Sequence, residues 1–158
     1  MIWQSLLESL IYLVSSYVLF VIGKLVYDWT TPSYLIREEL VEKDNAAFSV
    51  AFIGYLFGLI LAIGGVLSGE SQGLEADLID IGIFGCVAIA LMNLSRFIND
   101  ALILHSFSIR DEVIRDQNVG TGVVVFASYV ATGMVLYGAV SGVMGGLVTV
   151  LVFWALGQ

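Results

Sequence analysis

The chain has 158 residues, of which 59% are hydrophobic and only 13% are charged. A soluble domain is about half apolar and a quarter charged, so this composition argues against one. The net charge of −8 argues against a nucleic-acid partner. A single cysteine, Cys86, excludes a disulfide framework.

Five apolar runs follow one another along the sequence, at about 6–26, 46–67, 78–95, 119–140 and 143–157. A helix needs about 20 apolar residues to cross a bilayer, so the first four runs predict an all-α, polytopic transmembrane helical bundle. The fifth run would be about 22 Å long as a helix, shorter than the membrane core of about 30 Å. Residues 143–158 are therefore expected to form a short or incomplete fifth membrane segment.

The basic residues predict how the bundle is oriented. All six Lys and Arg lie within or at the border of two connections, 30–45 and 105–118. The loop at 68–80 holds four acidic residues and no basic one. Because Lys and Arg are enriched in cytoplasmic loops, both connections are expected to be cytoplasmic and the N-terminus outside. The start lacks a basic region and a cleavage site of a signal peptide, so the first run is expected to be kept.

The sequence also contains an internal repeat. Residues 33–69 align with 106–142 at a constant offset of 73 without a gap. The repeat predicts a first two-helix unit at 1–69 and a second at 70–142, each with a charged connector, and both in the same orientation in the membrane. The matched residues include Arg37/Arg110, Glu39/Glu112, Asn45/Asn118, Gly65/Gly138 and Gly69/Gly142.

One segment carries a resemblance to a known family. Thr31-Pro32, a short charged helix and then Asn45-Ala46-Ala47 at the start of a Gly-rich apolar helix resemble the YjfL family of bacterial inner-membrane proteins. The second copy departs from that pattern, with His105-Ser106 and Asn118-Val119-Gly120 at the matched places. The resemblance implies a bacterial inner (plasma) membrane location and four helices per domain. It implies no established activity.

Charged residues near the connectors are candidates for an ion-pair network or a gate. The pairs Lys24–Asp28 and Arg96–Asp100 are four residues apart and share a helix face, so they are either local ion pairs or the lining of a vestibule. On an α-helix, Arg37 falls within an apolar arc, while Glu39 and two neighbouring glutamates fall on the opposite side. Arg37 would then be an interfacial anchor, paired with Asp28 or lipid, or a functional side chain. The candidate residues are Lys24, Asp28, Arg37, Arg96, Asp100 and Arg110.

Asn45 and Asn118 stand directly before apolar runs, where Asn is a preferred helix N-cap. Glycines four residues apart then predict close packing of the second and fourth runs, within one chain or between chains. The glycines of these motifs are Gly54, Gly58, Gly65, Gly69, Gly138 and Gly142.

The sequence has no metal-ligand cluster, phosphate loop or catalytic triad, so we expect neither an enzyme nor a cofactor. The favoured interpretation is a membrane assembly or adaptor protein. It would oligomerise through its Gly-rich helices and present charged cytoplasmic connectors to a soluble partner. The alternative is a subunit of an ion channel or transporter with a pathway between protomers. The expected partners are membrane lipids, further copies of the chain and a soluble cytoplasmic protein.

Overall fold

The computed structural model describes residues 2–31, 36–99, 108–141 and 146–158, and all of its regular elements are helices. The prediction of an all-helical bundle with a short C-terminal apolar helix is confirmed. The helices are α1 (Ile2–Thr30), α2 (Ala46–Leu67), α3 (Leu74–Ile98), α4 (Val119–Val140) and α5 (Leu147–Leu156), with a first connector helix at Glu38–Glu42 and a second at Asp111–Arg115.

Helices α1 to α4 are long and apolar enough to cross a membrane, so the chain is a multi-pass membrane protein. The shortest of them have 22 residues, which is about 33 Å of helix against a membrane core of about 30 Å. Helix α5 has 10 residues and reaches only about 15 Å. The indole Nε1 of Trp154 in α5 donates to the Ser95 hydroxyl of α3 at 2.7 Å, which fixes α5 to the bundle.

The centre of the bundle is a close contact between α2 and α4. A Cβ added at Gly54 would lie 2.5 Å from the Phe126 Cα, and one at Gly65 would lie 2.6 Å from the Tyr137 Cα. A Cβ at Gly133 would collide with the backbone of Gly58. From one contact to the next, the residue numbers increase together along both helices, so α2 and α4 run parallel. Small residues let the two backbones approach, as in other membrane helix pairs.

Two of the predicted packing glycines, Gly69 and Gly138, do not take part in this contact. Gly69 follows the end of α2 and is exposed, and a Cβ at Gly138 would meet nothing within 4 Å. Gly138 is five residues beyond Gly133, or about 140° around the helix, so it points away from α2. Gly142 lies outside the described residues. On α4, Gly122 and Gly133 make the close approaches instead.

A tyrosine hydroxyl connects the remaining spans to the centre. The Tyr55 hydroxyl of α2 donates to the Gly23 carbonyl of α1 at 2.9 Å and accepts from the Asn93 amide of α3 at 3.1 Å. Leu19 of α1 packs onto Gly85 of α3. Such bonds hold helices together where lipid supplies no hydrogen-bonding alternative.

Replacing Gly133 by alanine should destabilise the bundle, because the new methyl group meets the backbone of Gly58 rather than a flexible side chain. We expect a loss of about 1–3 kcal/mol in the free energy of unfolding. The matched Gly138→Ala should be neutral or stabilise by up to about 1 kcal/mol, since alanine favours helix and the site is open. Reversible unfolding in mixed micelles measures both. Equal losses in the two variants would contradict the α2–α4 contact described above.

Candidate functional site

Both connectors lie on one side of the bundle, at the N-terminal ends of α2 and α4, and we call this the connector side. The first connector is a single π-helical turn, in which the Lys43 N–H donates to the Glu38 carbonyl at 2.9 Å. Asp44 follows in the left-handed region, with φ of 49°. The Asn45 side chain then accepts from the Phe48 N–H at 3.0 Å and caps α2.

The second connector repeats this geometry at positions 73 residues later. The Asp116 N–H donates to the Asp111 carbonyl at 2.9 Å, and Gln117 has a φ of 50°. The Asn118 side chain accepts from the N–H groups of Gly120 and Thr121 and caps α4. The two connectors thus share a hydrogen-bond pattern, while the repeat and its unit boundaries stay a prediction.

Glu39 is buried, which corrects the expectation that it lies on the solvent side. Its side chain is 0% exposed, and its two oxygens accept from Lys43 Nζ at 2.7 Å and from Asn45 Nδ2 at 2.9 Å. The prediction assumed an angle of 100° between successive residues, as in an α-helix. In a π turn, with its i→i+5 bonds, that angle is smaller. Val41, two residues after Glu39 in the same turn, is 70% exposed. The carboxylates of Glu39 and then Glu38 raise the pKa of Lys43.

The first cap is covered by the second connector, whereas the second cap is open. The Asn45 amide donates to the Val113 carbonyl at 2.9 Å, and Asn45 is 0% exposed. Asn118 makes the matched bond to Glu112 at 2.8 Å, yet Asn118 is exposed and Glu112 is only half-buried. Two caps of the same design therefore have different surroundings.

A cavity of about 300 Å³ opens on the connector side, between the connector ends of the spans and the second connector. Most of its walls are apolar or aromatic. The polar residues of its lining, apart from tyrosines, are Thr30, Thr31, Arg96, Asn99, Arg110 and Ser128.

Arg96 is the most constrained charge at this cavity. Its Nη2 donates to the Thr30 carbonyl at 2.9 Å, and its guanidinium carbon lies 5.0 Å from the centre of the Tyr27 ring. Its Nη1 is buried and has no hydrogen-bond partner among the described residues. Tyr27 lies in the last turn of α1 and is 3% exposed. It was not among the residues predicted from the sequence.

Of the other candidate charges that the structure describes, Lys24 and Asp28 form a pair. Lys24 Nζ lies 2.6 Å from Asp28 Oδ2, so within the described chain Asp28 is paired with Lys24 rather than with Arg37. The remaining oxygen, Asp28 Oδ1, is buried without a partner among the described residues. Arg37 and Arg110 are exposed, and of the two only Arg110 lines the cavity. Asp100 lies outside the described residues.

Comparison with known proteins gives one family match. A family model described as Domain of Unknown Function (DUF350) matches residues 1–140, which is most of the chain. Searches of curated proteins and of solved structures each found no match.

Replacing Asn45 by alanine should cost more stability than replacing Asn118. Either variant loses an N-cap, worth about 1 kcal/mol. Asn45→Ala also removes partners from two buried acceptors, Glu39 and the Val113 carbonyl, at about 1 kcal/mol or more each. We therefore expect a loss of about 3 kcal/mol for Asn45→Ala and about 1 kcal/mol for Asn118→Ala in reversible unfolding. Similar losses would show that the second connector does not cover the first cap.

Proposed function

The chain belongs to the DUF350 family of unknown function, and from that starting point we propose that it is a membrane-embedded assembly module whose copies associate head to tail. Its connectors would lie on the cytoplasmic side of a bacterial inner membrane, as the distribution of basic residues predicts. The observation that carries the proposal is the open cap at Asn118, beside a covered cap at Asn45. A pathway between protomers, the alternative from the sequence, stays a prediction.

The proposed contact between subunits is based on one inside the subunit, where the second connector covers the Asn45 cap. The second connector places the Val113 carbonyl on the Asn45 amide, and a Cβ on Gly122 would reach the Ala47 backbone beneath it. Burial in a low-dielectric site makes this polar contact specific, because the amide has few other partners there.

The second unit offers the same surface without a cover. The Asn118 amide, bonded to Glu112, is exposed at the start of α4. The residue that matches Val113 at the offset of 73 is Leu40, in the first connector, and its neighbour Val41 is 70% exposed. We therefore place the first connector of a second copy over the Asn118 cap.

This contact joins two different surfaces, so it is heterologous and repeats from copy to copy. Repetition gives a ring where the rotation closes and a row where it does not. Of the glycines predicted for packing, Gly54, Gly58 and Gly65 contact α4 within the subunit, so we place the association at the connectors. The exposed charges of both connectors would remain on one surface for a soluble partner.

Cysteine crosslinking tests the proposal in a Cys86→Ser background. The double variant Val41→Cys/Gln117→Cys, treated with a short membrane-impermeant bismaleimide, should give a ladder of covalent oligomers in inside-out membrane vesicles. The same reagent should give none in intact cells, because the connectors are cytoplasmic. Mixing the two single variants should give dimers only.

The matched pair Asp44→Cys/Ile114→Cys is the internal control, since these positions correspond within one subunit and should link without forming oligomers. Either single variant that forms a dimer with itself would overturn the head-to-tail contact in favour of a two-fold one. So would a failure of the double variant to form oligomers while the internal control links.

A further inference from the structure

We propose that the cavity on the connector side binds an anionic phosphate headgroup of a membrane lipid, with Arg96 as its main ligand and Arg110 at its edge. This inference does not depend on association between copies. It rests on the chemistry of the cavity lining and on one guanidinium nitrogen.

Arg96 carries an unsatisfied hydrogen-bond donor. Arg96 uses Nη2 on the Thr30 carbonyl and its flat face on Tyr27, and Nη1 is left buried with no hydrogen-bond partner in the described part of the chain. A buried donor without a partner is costly, and a charged one more so. Because Arg96 lines the cavity, a small rotation of its side chain would bring Nη1 to a phosphate oxygen, and guanidinium groups bind phosphate through parallel N–H bonds.

The described lining of the cavity is positively charged. The described lining contains the guanidinium groups of Arg96 and Arg110 and no carboxylate. Asp28 does not line the cavity, and its Oδ2 is held by Lys24 Nζ at 2.6 Å. The charge of the described lining therefore favours an anion.

Two of the hydroxyl groups at the cavity, those of Thr30 and Thr31, already donate to backbone carbonyls. Thr30 donates to the Val26 carbonyl at 2.7 Å, and Thr31 donates to the Tyr27 carbonyl at 2.6 Å. The Ser128 hydroxyl accepts from the Asn99 amide. The headgroup would thus depend on the guanidinium groups of Arg96 and Arg110 more than on the two threonine hydroxyls.

The apolar walls favour a lipid over a small free anion. Side chains such as Phe97, Val124 and Ile114 complete the lining around the polar residues, and Phe97 is 70% exposed and Val124 54% exposed at the surface of the bundle. The connector side lies at the end of the spans, the level at which lipid phosphates meet basic side chains. An acyl chain could leave along these exposed apolar side chains while the phosphate remains at Arg96.

Lipid retention by the full chain tests the site. Protein in nanodiscs of phosphatidylcholine with a small fraction of phosphatidylglycerol would be released into detergent, and the bound lipid counted by native mass spectrometry. The wild-type chain should keep one phosphatidylglycerol in preference to phosphatidylcholine. Arg96→Gln should weaken that binding at least tenfold.

Arg37→Gln is the matched control, because Arg37 is an exposed connector arginine that does not line the cavity. It should retain the lipid as the wild type does. Val124→Trp narrows the cavity without changing its charge and should also lose the lipid. It tests the same site independently if Arg96→Gln fails to fold.

Three results would overturn the proposal. The first is equal retention of neutral and anionic lipid by the wild type. The second is an equal loss in Arg37→Gln and Arg96→Gln, which would indicate general surface attraction. The third is displacement of the lipid by millimolar inorganic phosphate, which would assign the cavity to a small anion instead.

Discussion

The buried amide of Asn45 joins three parts of the connector side. Its oxygen caps α2 at the Phe48 N–H, and its nitrogen donates both to the Glu39 carboxylate and to the Val113 carbonyl. A helix that begins at the membrane border must satisfy its first N–H groups from within the protein. One side chain does so here and at the same time fixes the second connector over the first. The parallel contact of α2 and α4 starts directly beneath this point.

The two hairpins are alike in their bonds and unlike in their burial. Each connector has a π turn followed by a residue in the left-handed region. In each, the Asn that caps the next helix also donates to a Glu carboxylate six residues before it. Only the first is covered. Because a covered polar site in a low-dielectric setting is specific, we propose the open second site as the place where a further copy binds. The cavity with Arg96 lies on the same side, so lipid binding and assembly would meet at one level of the membrane.

Much of this architecture could be predicted from the sequence because it follows from local rules. The length of the apolar runs predicted the four spans, and an Asn before an apolar run predicted each N-cap. Burial of Glu39 could not be predicted, since the π turn changes the angle between residues. The role of Gly133 in place of Gly138 depends on which face of α4 meets α2, and periodicity alone does not decide that. The cavity is formed by residues from distant helices, such as Tyr27 and Arg96, and no local pattern marks it.

Hydrogen exchange at the first turns of α2 and α4 tests the unequal caps most directly. The protein would be compared in nanodiscs holding one copy and in membranes at high protein density. The first turn of α2, at 46–49, should be protected in both, because the same subunit covers it. The first turn of α4, at 119–122, should exchange faster in the single copy and become protected at high density. Equal exchange of the α4 turn in the two preparations would contradict the account.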